Sequence, residues 1–331
     1  MQLYSIFGDN TITLQKMKKL FLIQVMFLFI CALSAQDYAS FLTDPAISPD
    51  GSKIAFVYEG DLWIVDSHGG TAHRLTAMTG DESLPRFSPD GQWLAFSSTQ
   101  NGNADIYIMP FEGGTIRQMT FHDGNDYADS WSWDSRTLYF TSDRQNTFGA
   151  YKVPVTGGTA VRLFSDNYFD QAHNVAELPS GEGKEYYFTT SWESYMFSHR
   201  KRYRGENDPD IEYYNTTTGQ YKRLTEWEGK DLWPSVDRSG RLYFASDEAN
   251  DEYNLYTIED GLKKQLTDFP TSIRRPQVST DGRKIVFGHD YRIWTYDVAE
   301  KKSSLCDISI WANETLATEI SYSSAGKISD F

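Results

Sequence analysis

The chain has 331 residues, with 31 Lys and Arg against 46 Asp and Glu, for a formal charge of −15. Such an acidic surface repels the phosphates of nucleic acid and argues against a nucleic-acid partner. Aromatic residues make up 15% of the chain, a supply suited to pleated, half-buried sheet surfaces.

The N-terminus reads best from Met17, which leaves residues 1–16 as upstream sequence included in the frame. Lys18 and Lys19 give a positive start, Leu20 to Leu33 an apolar stretch, and Ser34-Ala35-Gln36 a cleavage site after Ala35. Residues 17–35 are therefore predicted to be a secretory signal peptide, placing the mature chain in the periplasm or outside the cell with no membrane span. A lipoprotein is disfavoured because Ile30, not a small residue, precedes Cys31. With Cys31 removed, Cys306 is the one remaining thiol and no internal disulfide can form. Nothing around Cys306 would lower its pKa, so it reads as a packed small residue rather than a nucleophile.

From Asp44 to Ile310 one pattern recurs six times. A turn comes first: Ser48-Pro49-Asp50-Gly51, Ser88-Pro89-Asp90-Gly91, the decayed Ser132-Trp133-Asp134-Ser135 and Pro179-Ser180-Gly181, then Asp237-Arg238-Ser239-Gly240 and Ser279-Thr280-Asp281-Gly282. Pro presets the turn, Asp bonds back to its own backbone and Gly accepts positive φ. An apolar strand follows (Lys53–Val57 in the first unit, Trp93–Phe96 in the second), then another (Leu62–Val65, Ile106–Met109). A polar turn, often Gly-Gly, leads to an outer strand closing as Arg74-Leu75-Thr76, Gln118-Met119-Thr120, Arg223-Leu224-Thr225 or Gln265-Leu266-Thr267. With the segment before each turn, every unit has four strands.

The units recur about every 40 to 60 residues, the period of propeller blades or solenoid repeats. Apolar residues at spacings of three and four, which a helical solenoid needs, are not found, and a β-sandwich has no reason to reuse one turn at a fixed period. The chain is predicted to be all-β: a six-bladed β-propeller of four-stranded antiparallel blades over residues 36–312. Residues 313–331 read as a linker and the start of a truncated next propeller.

No catalytic motif is present: no nucleophile elbow, zinc helix, Cys-x-x-Cys pair or phosphate loop. No cofactor or metal is predicted, since His68, His73, His122, His173, His199 and His289 are scattered without metal spacing. Three acidic groups, Asp123 to Asp129, Asp166 with Asp170, and Asp208 with Asp210, lack the pattern of a calcium loop and read as solvated turn acids. The segment His199-Arg200-Lys201-Arg202-Tyr203-Arg204-Gly205 stands out in an acidic chain. It reads either as an anion or carboxylate site or as a salt-bridged loop, with physics favouring the loop. The fourth unit is lengthened here. Tyr203 and Arg204 are expected to pin the insertion, with Arg200, Lys201 and Arg202 facing a following domain or a peptide.

The run Phe56-Val57-Tyr58-Glu59-Gly60-Asp61-Leu62-Trp63, the block Pro85-Arg86-Phe87-Ser88-Pro89-Asp90-Gly91, Gly113-Gly114 before Met119-Thr120, and Lys201-Arg202-Tyr203-Arg204-Gly205 together resemble the N-terminal six-bladed propeller of tricorn-type proteases. Ser-Pro-Asp-Gly turns are shared with TolB and the propellers of prolyl-oligopeptidase relatives; the Tyr-Arg-Gly segment is more specific. The resemblance implies a following seven-bladed propeller, a PDZ domain and a tail-specific protease core, whose catalytic Ser and His have no counterparts in these residues. It also implies peptide or unfolded-polypeptide partners, a possible homo-oligomer, and a propeller acting as channel or gate. The archaeal prototype of the family anchors a peptide's C-terminal carboxylate with a basic pair in the loop before the third blade. Here Phe121 to Asp129 holds three Asp and neither Lys nor Arg, which puts that anchor in doubt. The alternative reading is a self-sufficient, TolB-like periplasmic interaction module.

Overall fold

The structure, a computed structural model, describes residues 39–311 apart from residues 146 and 165–169. The expected signal peptide and the expected truncated propeller lie outside the described residues.

Six antiparallel sheets follow one another along the chain. Blade 1 holds β1 (Thr43–Ile47), β2 (Lys53–Tyr58), β3 (Asp61–Asp66) and β4 (Gly70–Arg74). Blade 2 holds β5 (Glu82–Phe87), β6 (Trp93–Ser98), β7 (Asp105–Pro110) and β8 (Arg117–Gln118), and blade 3 holds β9 (Asp126–Trp131), β10 (Thr137–Ser142), β11 (Gly149–Pro154) and β12 (Val161–Arg162). Blade 4 holds β13 (His173–Glu177), β14 (Glu185–Thr189), β15 (Ile211–Asn215) and β16 (Tyr221–Arg223). Blade 5 holds β17 (Asp231–Val236), β18 (Leu242–Ser246), β19 (Asn254–Glu259) and β20 (Leu262–Gln265), and blade 6 holds β21 (Ile273–Val278), β22 (Lys284–His289), β23 (Arg292–Asp297) and β24 (Lys302–Leu305). The six-bladed, four-stranded propeller read from the sequence is the observed fold. Helix among the described residues amounts to α1 (Trp192–Tyr195) and one 3-10 turn at Pro179–Gly181.

The repeat has a hydrogen-bonding reason. In blades 1, 2, 3 and 6 the turn serine donates to the turn aspartate (Ser48 to Asp50 at 2.6 Å, Ser88 to Asp90 at 2.5 Å, Ser132 to Asp134 at 2.6 Å, Ser279 to Asp281 at 2.7 Å). The same serine oxygens accept the backbone N–H of Lys53, Trp93, Thr137 and Lys284, which starts the next strand. The Leu-Thr ending has a second role. Thr76, Thr120, Thr225 and Thr267 lie beyond the outer strands, and their hydroxyls accept the N–H of Leu62, Ile106, Ile211 and Leu255 at 2.8 to 3.0 Å, binding each outer edge to the third strand.

Each interface between neighbouring blades has its own apolar cluster. The one between blades 4 and 5 is the smallest, with Ile211, Leu242, Phe244 and Tyr256 buried, whereas blades 6 and 1 bury eleven residues. Blade 6 meets blade 1 through a fifth strand, β25 (Ile308–Ile310), which runs parallel to β4. Gly70 N–H donates to Asp307 O at 2.8 Å and Ala39 N–H to Ile308 O at 2.9 Å, so the two ends of the repeat region clasp. Gly69 permits this approach: its φ is +94°, and a Cβ there would overlap the Asp307 carbonyl oxygen.

Candidate functional site

The first strand of each blade lines the propeller axis, and a cavity of about 100 Å³ is bounded there by residues from all six, including Ala46, Arg86, Asp129, Ala176, Ser235 and Gln277. These strands are bulged. Asp44, Leu84, Asn174, Trp233 and Arg275 have left-handed φ of 46° to 57°, next to register shifts in β1, β5, β13, β17 and β21. Non-glycine residues avoid this region unless the surroundings impose it. The bulges re-aim charged side chains along the axis.

Arg275 Nε lies 3.1 Å from Asp44 Oδ1, joining blades 6 and 1. Arg86 is buried, donating from Nε to Asp129 O at 2.6 Å and from Nη1 to Pro85 O at 2.8 Å. Burial, together with the neighbouring Arg275, pushes the Arg86 pKa down to about 10. Burial also raises Asp129 to about 6, although Thr141 Oγ1 and the Val175 N–H both donate to it. His173, buried at the start of β13, is pushed down to about 4 by desolvation and is neutral near pH 7.

The first strands run from one face of the ring, here the rim face, to the face carrying the Ser-Pro-Asp-Gly turns. The blade 4 insertion, residues 190–210, joins β14 to β15 and therefore lies on the rim face. It is seated on the beginnings of three successive first strands. Tyr195 stacks on Phe148 at 4.1 Å and meets Tyr127 of β9 and His173 of β13 edge-on. On the blade 5 side Lys230, fully buried just before β17, donates to Glu193 O at 3.1 Å and Phe197 O at 2.8 Å, with Nζ 2.8 Å from Glu193 Oε2. Glu193 lies within α1 and Phe197 two residues past its end, so Lys230 ties the short helix to the segment that follows it. Desolvation lowers the Lys230 pKa while Glu193 opposes it.

The basic segment crosses from this insertion to blade 5. Arg204 bonds Asp247 at 2.9 Å and Asp251 at 2.7 Å and lies over Trp227. Lys201 bonds Glu252 at 2.6 Å, and Arg200 lies 3.2 Å from Glu193 and over the Tyr203 ring at 4.5 Å. Arg202 is the most exposed, 4.0 Å from Glu252. The Tyr203 ring has two cations within 6 Å of its centroid, Arg200 at 4.5 Å and Lys230 at 5.7 Å.

Asp123 is exposed, as a solvated turn acid should be, but other members of the acidic groups correct that expectation. Asp126, Asp129 and Asp210 are buried. Asp126 receives Arg144, and Asp210 accepts from Thr225 at 3.0 Å and lies 3.2 Å from Arg223; burial raises Asp210 to about 6. These residues begin or flank strands at blade interfaces, so the ring folds over them. Asp170 pairs with Arg162, while Asp166 lies outside the described residues. Cys306 is buried and its thiol is pushed up to about 12 by desolvation, as a packed residue should be. No group of His, Cys, Asp or Glu with metal-binding geometry occurs among the described residues. Lys230 and Glu193, the centre of the insertion's anchorage, carry no motif; the one available signal is a lysine directly before an apolar strand.

Comparison with known proteins extends these observations. The family described as the tricorn protease N-terminal beta propeller domain matches residues 39–302. Tricorn protease homolog 1 of Streptomyces coelicolor is 41% identical over 54 residues, covering 16% of this chain and 5% of the relative. The uncharacterized peptidase YuxL of Bacillus subtilis is 34% identical over 73 residues, covering 19% and 11%. Among solved structures, the tricorn protease superposes with a TM-score of 0.70 at 22% identity over 83% of this chain and 27% of its own, and TolB from Acinetobacter baumannii with 0.60 at 18% identity over 83% and 66%. The chain thus matches a small part of the length of these peptidases.

Proposed function

Because the chain belongs to the family of the tricorn protease N-terminal β-propeller, we propose that it is the non-catalytic, substrate-handling propeller of a tricorn-like serine peptidase. On this reading residues 17–35 export the protein, and the catalytic core lies in sequence following Phe331. The observation that carries it is the seating of residues 190–210 on the beginnings of three successive first strands at the rim face. Arg204 and Tyr203 hold it, and Arg200, Lys201 and Arg202 form the edge offered to a peptide or to the next domain.

Two measurements test the reading. The genomic frame is expected to continue past codon 331 through further repeats into a peptidase core; a verified stop followed by an unrelated gene would leave a self-sufficient binding module instead. The purified chain is expected to hydrolyse no peptide by itself. Cleavage of fluorogenic peptides that survives stringent repurification would place a nucleophile within these residues and contradict a non-catalytic role.

A further inference from the structure

Three pairs of neighbouring blades are tied together through their turns, on the face opposite the rim face. Asp281 N–H donates to Pro49 O at 3.1 Å, Arg238 N–H to Thr280 O at 3.0 Å and Asp90 N–H to Ser135 Oγ at 3.1 Å, which joins blades 6 to 1, 5 to 6 and 2 to 3. Blades 3 and 4 are joined otherwise. In place of the serine–aspartate turn, blade 4 has the 3-10 turn at Pro179–Gly181, ending on Glu182 in a left-handed conformation. The bridge is the Trp133 indole N–H, which donates to Glu177 O at 2.7 Å. Towards the rim face the two sheets close on Ala150, Leu163 and Phe188. Towards the turn face they part, and a cavity of about 660 Å³ opens between them. That volume lies in the range of small-molecule sites.

The register of blade 3 decides what lines the cavity. Tyr139 on β10 is paired with Lys152 on β11, and Lys152 with Val161 on β12, so the three stand in a row on the face turned towards blade 4. Tyr139 is already engaged: its hydroxyl donates to Glu177 Oε2 at 2.7 Å, while Glu177 Oε1 accepts the Gly183 N–H at 2.9 Å. Lys152 is not. It is half-buried, yet its ammonium has neither an ion pair nor a hydrogen bond among the described residues. A lysine held partly out of water on a cavity wall, without a counter-charge, gains from an anion bound there. Beside it Val161 is 49% exposed, apolar surface that the fold leaves uncovered, and Trp133, Pro154 and Pro179 add to the apolar walls. Glu177 and Glu182 lie on the blade 4 side, so the cavity is polarised, with its cation on one wall and carboxylates on the other.

We propose that this cleft between blades 3 and 4 binds a dipeptide-sized zwitterion with an apolar side chain, its carboxylate on Lys152, its ammonium towards Glu177 and Glu182, and its side chain against Trp133 and Val161. Residues of the two blades alone make the site. That such a ligand is a product of the peptidase rests on the substrate-handling reading above.

The test is calorimetric titration of the full chain with the dipeptide Ala-Phe, its C-terminal amide, its N-acetyl form and Ala-Ser. Ala-Phe should bind roughly tenfold tighter than each of the others. Lys152→Met should bring Ala-Phe down to the affinity of its amide and leave the amide itself unaffected. Because Lys152 has no partner in the fold, the melting temperature should not fall. Val161→Glu offers Lys152 a resident carboxylate at an exposed position and should weaken Ala-Phe in the same way. Equal binding of the four compounds, binding of none, or full affinity for Ala-Phe in Lys152→Met overturns the site. Free phenylalanine binding as tightly as Ala-Phe contradicts the dipeptide size. A melting temperature lowered by Lys152→Met, with the ranking of the ligands unchanged, makes Lys152 a structural residue and likewise overturns its role. The downstream frame judges the peptidase reading independently of all of these outcomes.

Discussion

Arg204 Nη1 lies 2.9 Å from Asp247 Oδ2, joining the blade 4 insertion to the loop between β18 and β19 of blade 5. The carboxylate also accepts the Trp227 indole N–H and the Lys230 backbone N–H, both at 2.9 Å. This linkage crosses the blade interface with the smallest apolar cluster. Ionic and hydrogen-bonded contacts there supplement what little area is buried between the two sheets.

Arg204→Ala should therefore destabilise the chain by about 1.5 to 3 kcal/mol, the range for a hydrogen bond to a charged group. Arg200→Ala should cost less than about 1 kcal/mol, because its pair with Glu193 is half exposed. Thermal unfolding of the two variants side by side checks the contrast. Equal losses would show that the insertion is held by its edge rather than by Asp247.

Lys230→Met leaves Glu193 buried without its cation and the Glu193 and Phe197 carbonyls without this donor. Breaking one partner of a buried pair costs about 3 to 5 kcal/mol. Chemical denaturation should show that loss, and Lys230→Met combined with Glu193→Leu should recover part of it. A double variant as unstable as the single one would mean that the carbonyl bonds to Glu193 and Phe197, rather than the ion pair, dominate.

Gly69→Ala should loosen the clasp between blades 6 and 1, since the new methyl meets Asp307 O and the backbone is left-handed. Left-handed alanine alone costs about 1 to 2 kcal/mol. Hydrogen exchange should accelerate at Ile308 to Ile310 before it changes in blade 3. Gly70→Ala, with nothing within 4 Å of its Cβ position, should leave the clasp less affected.

The buried titrating groups give opposing pH dependences. Asp129 has a folded pKa raised to about 6, so its contribution is fully present below 3.8 and is lost as pH rises through about 6. His173, lowered to about 4, contributes stability above 6.5 that is lost as pH falls through about 4. Asp129→Asn should accordingly gain stability relative to the parent chain between pH 4 and 7, by about 2 to 3 kcal/mol at most. His173→Gln should show the opposite trend. Melting temperatures across that range decide it; a parallel pair of curves for Asp129→Asn and the parent would show that Asp129 stays ionised throughout.

The blades were legible because their turns are local chemistry: a serine, an aspartate two residues on and a strand start form one hydrogen-bonded unit. The Leu-Thr endings were legible for the same reason, though sequence alone placed the threonine at the end of the strand rather than in its role beyond it. Local signals failed where partners are distant. Arg204 announces a cation, yet Asp247 and Asp251 lie more than forty residues away, in another blade. Asp126 and Asp210 looked like loop acids because nothing in their neighbourhood reveals that a strand start will be enclosed between sheets.

The central claim, that peptides reach the peptidase past this rim, is tested most directly by obstructing it. In the full-length polypeptide, Arg202→Cys labelled with a polyethylene-glycol maleimide puts a bulky group at the insertion's edge, while the buried Cys306 thiol, raised to about 12, resists labelling. Hydrolysis of a long unfolded substrate should fall by roughly tenfold relative to the unlabelled variant, with a short blocked tripeptide affected far less. Unchanged hydrolysis of the long substrate after complete labelling would contradict the claim.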